Sequence, residues 1–186
     1  MTETLAVFGG SFNPPHVGHV LAVTLVLSTS DIDRVLVVPT FRHPFAKALA
    51  PYEDRVKMCE LAMGWLPRVE ISRVEEELGG DSLTLRTLEQ LRKTRPNDRL
   101  RLVMGADLLL ESAKWFRFEE IQTIAPPLVI GRAGVDAPGA PAPLLPEISS
   151  SEVRDRIARG DTSGLEQLVP RTVLDYVSAR RLYAGS

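Results

Sequence analysis

Two histidines close an eleven-residue stretch rich in glycine and proline near the start of the chain. Residues 9–19 read Gly-Gly-Ser-Phe-Asn-Pro-Pro-His-Val-Gly-His and end with His16 and His19. Glycines such as Gly9 and Gly10 let backbone N–H groups approach a phosphate closely, and a helix that starts after them adds its positive end. Histidines one helical turn apart can both donate to phosphate oxygens and stabilise charge that develops during displacement at phosphorus. The stretch therefore predicts a phosphate site.

Two other interpretations of the same residues stay open at this point. A tight Gly-Pro turn with two polar residues capping a helix would also produce this pattern, because short motifs occur without their usual function. A pair of metal-binding histidines is a weaker alternative. A zinc site needs at least one further ligand nearby, and no cysteine or acidic residue stands at a suitable spacing.

A second motif, Met-Gly-Ala-Asp at residues 104–107, follows an apolar run. A glycine at the end of a strand permits close approach by a sugar, and a carboxylate accepts both hydrogen bonds of a ribose diol. Gly105 and Asp107 are therefore candidates for binding a nucleoside. Asp107 could instead cap the helix that follows, and both functions can hold together.

A third motif places three hydroxyls and an arginine at the start of a predicted helix. Ser149, Ser150 and Ser151 precede Arg154 by up to one turn and a half, which predicts a second anion site that faces the first. A capping box made by Ser149 and Glu152 explains those two residues without a ligand. It does not explain Ser150, Ser151 and Arg154 as a set.

Strands that alternate with helices must position these motifs. Apolar runs predict strands at residues 5–8, 34–39, 68–72, 100–104 and 128–130. Periodicity, prolines and caps predict helices at 18–30, 51–65, 82–94, 107–113 and 119–124, and further helices that start at Ser149 and Pro170. This order predicts an α/β fold: a doubly wound, mostly parallel, Rossmann-like sheet of five or six strands with helices on both faces. Ligands of such sheets bind at the carboxyl ends of the strands, where the motifs fall.

The chain length of 186 residues suits one domain, 1–186, which can bury a core without disulfides or structural zinc. Cys59, the single cysteine, agrees with this. The segment 133–147 holds several prolines and glycines and is predicted to be a loop without regular structure, and 148–186 is predicted to form a helical C-terminal segment. Such a long loop usually signals a functional element.

Composition excludes several classes of protein. A formal net charge of -2 gives no broad basic footprint, so no nucleic-acid partner is expected. The most apolar stretch, residues 20–27, is well short of the roughly 20 residues that cross a bilayer, so no membrane association is expected. The first residues lack the positive region of a secretory signal, and we expect a cytoplasmic protein.

The stretch 9–19 resembles the signature of the nucleotidyltransferases that carry a His-x-Gly-His motif, and specifically that of the nicotinate (or nicotinamide) mononucleotide adenylyltransferases. That family also has a Gly-x-Asp near the adenosine ribose. An Ile-Ser-Ser/Ala-Thr/Ser-x-x-Arg motif binds the triphosphate of ATP there. The three motifs occur in this chain in the same order and at comparable separations, and the resemblance covers almost the whole chain.

The resemblance implies adenylyl transfer from ATP to nicotinate mononucleotide, with Mg²⁺ accompanying ATP. His16 and His19 would then hold the ATP phosphates, and Lys47 and Arg154 would add positive charge. No protein ligand to the metal is implied. The residues expected to bind ATP are Gly9, Gly10, Ser11, Asn13, Gly105, Asp107, Ser150 and Ser151.

On the acceptor side the resemblance implies Lys47, Thr84, Trp115 and Arg132 as mononucleotide-binding residues. Lys47 could instead be a solvated loop residue, Trp115 a core residue and Arg132 an exposed surface arginine. The chain departs from the family at two places. Residues 41–47 replace the Pro-Pro-His-Lys of many bacterial members and keep Arg42 and His43 beside Lys47, and a leucine replaces the tyrosine of a Ser-Tyr-Thr motif at residues 82–84.

Two rival functions accompany this interpretation. The same scaffold transfers adenylyl or cytidylyl groups to phosphopantetheine, glycerol phosphate or nicotinamide mononucleotide in related enzymes. A non-catalytic nucleotide-binding regulator that kept the fold is the rival from another class. The presence of both histidines, Lys47 and Arg154 argues against a regulator.

Overall fold

The computed structural model describes residues 2–45, 48–111, 115–136, 138 and 140–185, with the backbone alone for Pro143. Six strands form one parallel sheet in the order β3-β2-β1-β4-β5-β6, which confirms the predicted doubly wound fold. The strands are β1 (Thr4–Gly10), β2 (Arg34–Pro39), β3 (Val69–Ile71), β4 (Arg99–Gly105), β5 (Pro127–Arg132) and β6 (Pro143–Leu145). The strand order reverses between β1 and β4, which is where such sheets bind ligands.

Helices cover both faces of this sheet. They are α1 (Val17–Thr29), α2 (Tyr52–Met63), α3 (Val74–Leu78), α4 (Thr84–Thr94), α5 (Ala106–Leu110), α6 (Phe118–Ile124), α7 (Ser150–Ala158), α8 (Leu165–Leu168) and α9 (Arg171–Arg180). In the part of the chain that the structure describes, no helix is long and apolar enough to cross a membrane.

The central strands are buried on both sides, and this explains their continuous apolar sequences. In β1, Ala6 faces one apolar cluster, which it shares with α1, α2, α7, α8 and α9. Its neighbours Leu5 and Val7 face a second cluster, which contains α3, α4 and α6. Because successive side chains of a strand alternate between faces, one short apolar run supports both layers.

The structure differs from the sequence-based prediction in three short elements. The segment predicted to lack regular structure contains β6, which pairs with Gly131 and Arg132 at the sheet edge. A proline-rich edge strand gives little sequence signal, because prolines are tolerated where no partner needs their N–H. The helices α3 and α8 span only 5 and 4 residues, too few for a periodic pattern.

Candidate active site

A cleft of about 590 Å³ opens at the carboxyl ends of the strands, beside the point where the order reverses. The cleft is lined by residues in or next to each of the three motifs, and by residues from both faces of the sheet. Ten of the residues predicted for the site are among them: Gly9, Gly10, Ser11, His16, His19, Thr84, Gly105, Asp107, Trp115 and Arg132. Lys47 lies outside the described residues.

The β1–α1 loop, residues 11–16, is held by buried side chains. Asn13 has only 1 % of its surface exposed, and its Oδ1 accepts hydrogen bonds from the Ala50 N–H at 3.0 Å and the Tyr183 hydroxyl at 2.8 Å. Its Nδ2 is buried and has no hydrogen-bond partner among the residues that the structure describes. The amide oxygen therefore positions the loop, and the predicted contact between Asn13 and ATP stays a prediction.

Arg55 is a further anchor of the same loop that sequence reasoning missed. Its side chain is buried and donates from Nη1 to the Ser11 carbonyl and from Nε to the Ala50 carbonyl, both at 3.0 Å. Burial lowers the pKa of this guanidinium. The one signal in the sequence is a charged residue directly before Val56, within the apolar stripe of α2.

The two predicted phosphate-binding histidines lie together at the start of α1. Their ring centroids are 3.8 Å apart, and the backbone N–H of His16 donates to Nδ1 of His19 at 3.1 Å. Because Nδ1 of His19 accepts, a neutral ring carries its proton on Nε2 and can donate from there. A Cβ on Gly18 would lie 3.0 Å from the His16 ring, so glycine leaves room for that ring.

Both histidines are held in the neutral form. Burial, and secondarily the charge of Arg132, lowers the pKa of His16 to about 4. Burial also holds the pKa of His19 well below its usual value, helped by His16 and Arg132. A neutral imidazole can donate one hydrogen bond to a phosphate oxygen, and the negative charge of a bound phosphate shifts the histidine pKa upward again, towards the protonated form that donates from both nitrogens.

Arg132 and Asp107 form an ion pair in the lining of the cleft. Arg132 Nη1 donates to Asp107 Oδ2 at 3.0 Å, and Nη2 donates to the Ile148 carbonyl. The Arg132 side chain is 24 % exposed, so its interpretation as an exposed surface arginine is wrong. The interpretation of Asp107 as a helix cap is wrong as well, because α5 begins at Ala106 with Gly105 in the cap position.

The start of α7 docks on the β1–α1 loop. Ser150 Oγ donates to the Pro14 carbonyl at 2.9 Å, and Arg154 donates from Nη1 to the Asn13 carbonyl at 2.8 Å and from Nη2 to Ser151 Oγ at 3.1 Å. The predicted cap is present too: Ser149 Oγ accepts from the Glu152 N–H. The first and third motifs are therefore in contact. Ser150, Ser151 and Arg154 of the third motif support the wall of the cleft and are not among the residues that line it.

The opposite wall is the β2 loop, defined here as residues 40–45. His43, Pro44 and Phe45 line the cleft, close to Thr84 at the start of α4. Trp115 lines the cleft, and its half-buried ring packs edge-on against Phe118, with the ring centroids 6.0 Å apart, beside the second apolar cluster. Its contact with the mononucleotide stays a prediction.

Known proteins are similar to this chain in sequence and in fold over almost its whole length. Residues 7–156 match the cytidylyltransferase-like family. A probable nicotinate-nucleotide adenylyltransferase of Anaeromyxobacter dehalogenans is 50 % identical over 97 % of both chains, and one of Thermus thermophilus is 35 % identical over 96 % of this chain and 98 % of its own.

A solved structure has the same fold at low identity. The nicotinic acid mononucleotide adenylyltransferase of Plasmodium falciparum, complexed with NaAD, superimposes with a TM-score of 0.83 at 18 % identity and 97 % coverage of both chains. At that identity the likeness concerns the fold alone. The sequence relatives decide the family, and the expected resemblance is confirmed: the chain belongs to the nicotinate-nucleotide adenylyltransferases, within the cytidylyltransferase-like nucleotidyltransferases.

Proposed function

We propose that the protein transfers the adenylyl group of ATP to nicotinate mononucleotide, releasing pyrophosphate and forming nicotinate adenine dinucleotide for NAD biosynthesis. Relatives up to 50 % identical that bear this activity in their names support the choice of reaction. The observation in the structure that carries the proposal is the pair of adjacent histidine rings that line the cleft together with Arg132, at the reversal point of the sheet.

The reaction needs alignment and charge stabilisation. The mononucleotide phosphate forms a bond to the α-phosphorus of ATP as the bond from that phosphorus to the β-phosphate oxygen breaks, and pyrophosphate leaves with the electron pair. The attacking phosphate is already ionised near neutral pH, so it needs no strong general base. His16 and His19 are expected to donate to the phosphate oxygens as charge builds on them.

Neighbouring residues supply the remaining contacts in this proposal. Asp107 binds the adenosine ribose, and its Oδ1 lies so close over Gly105 that a Cβ there would be 2.3 Å away. Ser150, Ser151 and Arg154 contribute to triphosphate binding through the β1–α1 loop, which they hold in place. Arg132, Thr84 and Trp115 bind the mononucleotide, together with Lys47.

Mg²⁺ is the expected companion of ATP. The residues at this end of the cleft suit a metal that arrives with the nucleotide. The histidine and arginine side chains can donate to phosphate oxygens, and the Asp107 carboxylate is already paired with Arg132. Such an ion keeps several waters and is held chiefly by the triphosphate. Its chemistry would be to neutralise charge on the phosphates.

The deciding experiment measures pyrophosphate release by the purified protein with ATP and a panel of acceptors: nicotinate mononucleotide, nicotinamide mononucleotide, phosphopantetheine and glycerol phosphate. We expect nicotinate mononucleotide to give the highest kcat/KM, about ten to a hundredfold above the amide, because hydrogen bonds to an ionised carboxylate are stronger. A ratio near one would show dual specificity. ATP binding without turnover on any acceptor would indicate a regulator.

A further inference from the structure

Glu75 lies on α3, lines the cleft near the β2 loop and accepts hydrogen bonds on both carboxylate oxygens. Oε2 accepts a hydrogen bond from the backbone N–H of Phe41 at 3.0 Å. Oε1 accepts one from the hydroxyl of Thr87, a buried residue of α4, also at 3.0 Å. One side chain therefore connects the β2 loop with α4.

Ser82 reinforces the same connection. Its Oγ accepts from the N–H groups of Phe41 at 3.0 Å and Arg42 at 3.2 Å, and its own N–H donates to the Arg42 carbonyl at 2.9 Å. The Phe41 ring packs edge-on against Tyr52 at 5.1 Å. The start of the β2 loop is thus fixed, and the residues that follow it directly form the cleft wall.

We propose that Glu75 is a positioning residue for the acceptor: it fixes the β2 loop in the conformation that binds the mononucleotide, without touching the reacting atoms. This inference depends on the proposed function. A loop that is held before the ligand arrives binds it with a smaller loss of conformational entropy, so removal of the anchor weakens acceptor binding.

ATP binding should respond much less to the same change. The β1–α1 loop is held by separate hydrogen bonds, from Arg55, Tyr183, Ser150 and Arg154. An effect confined to the acceptor would therefore identify the β2 loop as the affected part, whereas a general loss of structure would raise both KM values.

The nature of the two contacts predicts which substitution is tolerated. The amide oxygen of a glutamine can accept from the Phe41 N–H while its NH₂ group donates to Thr87 Oγ1. The Thr87 hydroxyl is then free to donate to the Leu83 carbonyl, which it already approaches at 3.3 Å. Methionine has a similar length and no group that can accept strongly, so it removes both contacts.

The test compares steady-state kinetics of Glu75→Met, Glu75→Gln and the wild type, with Glu77→Met as the matched control on the exposed side of α3. We expect Glu75→Met to raise the KM for nicotinate mononucleotide about tenfold, with the KM for ATP within twofold of the wild type. Glu75→Gln should restore most of the acceptor affinity, and Glu77→Met should behave like the wild type.

Three results would overturn the inference: equal increases in both KM values, an unchanged acceptor KM in Glu75→Met, or a Glu75→Gln variant as impaired as Glu75→Met. Loss of the folded circular dichroism spectrum in Glu75→Met would also overturn it, because Glu75 would then support the fold as a whole. Wild-type protein that adenylylates none of the acceptors would refute the proposed function instead, and calorimetric binding of nicotinate mononucleotide to the same variants would then decide the question for Glu75.

Discussion

The two loops that border the cleft are anchored in different ways. The β1–α1 loop is buried and receives hydrogen bonds from α2, α7 and the C-terminal residues, through the side chains of Arg55, Ser150, Arg154 and Tyr183. The β2 loop is open to solvent: Phe45 is 84 % exposed, and the side chains of Glu75 and Ser82 hold only the start of the loop, at Phe41 and Arg42.

This difference separates two demands of the reaction. Donors that stabilise developing charge must be rigid before the substrate arrives, because any reorganisation during the reaction reduces their effect. Acceptor binding tolerates a wall with fewer buried contacts, which is also the kind of region that opens locally at low cost. Changes at the β1–α1 side should therefore lower kcat or weaken ATP binding, and changes at the β2 loop should raise the acceptor KM.

The largest expected effect is that of His19→Ala. We expect kcat to fall on the order of 10²–10³, and far more than ATP affinity, because a donor used mainly in the transition state is lost. Single-turnover rates and equilibrium ATP binding measure the two quantities. Phe45→Ala on the β2 loop is the control and should change the acceptor KM alone. Reduced ATP binding with a normal rate per bound complex, or an unfolded variant, would contradict the expected function of His19.

The second expected effect concerns stability against pH. Above pH 6.5 both the folded and the unfolded protein have a neutral His16, so its titration contributes nothing. Below pH 6.5 His16 becomes protonated in the unfolded state, whereas in the folded state it stays neutral down to about pH 4. The free energy of unfolding therefore falls as the pH decreases from 6.5 to 4. The loss from His16 alone is roughly 3 kcal/mol, at 1.36 kcal/mol per pH unit.

Urea unfolding at several pH values between 7 and 4.5 measures this loss. His19 has a lowered pKa as well and adds to the loss in the same direction. The His16→Asn variant should show a shallower dependence. Equal slopes in the variant and the wild type would mean that the fold does not keep His16 neutral in this pH range.

A smaller effect is expected for Arg154→Lys. The arginine uses two nitrogens, on the Asn13 carbonyl and on Ser151, and a lysine cannot hold both at once. We expect the KM for ATP to rise about tenfold, because the β1–α1 loop that binds the phosphates loses one charged hydrogen bond, with the acceptor KM unchanged. An unchanged KM for ATP would show that Arg154 does not contribute to ATP binding.

The sequence predicts at which end of the strands the cleft lies, because each motif that indicates it is contained in a short stretch of the chain. Glycines after a strand, hydroxyls at a helix start and histidines at helical spacing can each be recognised within a dozen residues. The parallel-sheet rule then brings the ends of β1 and β4 together. The motif residues His16, His19 and Asp107 all line the cleft as a result.

The anchors could not be found in this way. Arg55 bonds to Ser11, 44 positions earlier, Tyr183 bonds across 170 positions, and Glu75 bonds across 34. The residues next to them in the sequence do not indicate these hydrogen-bond partners, because the partners depend on how separate elements of the fold pack. The sequence does not reveal the strand β6 for a related reason, since it has three residues and forms by pairing with the end of β5.

The smallest expected effect tests whether the C-terminal residues support the rigid loop. Tyr183→Phe removes one hydrogen bond to Asn13 Oδ1, which keeps its bond from Ala50, so we expect the free energy of unfolding to fall by about 1 kcal/mol. Tyr176→Phe is the matched control, because it removes a hydroxyl bonded to Asp54 on α2 and leaves the loop untouched. Denaturant unfolding should give similar losses for both variants, whereas kcat should fall several-fold in Tyr183→Phe alone. If kcat changed equally in the two variants, the C-terminal residues would stabilise the fold without positioning the loop, and the rigidity of the β1–α1 side would depend on Arg55 and α7.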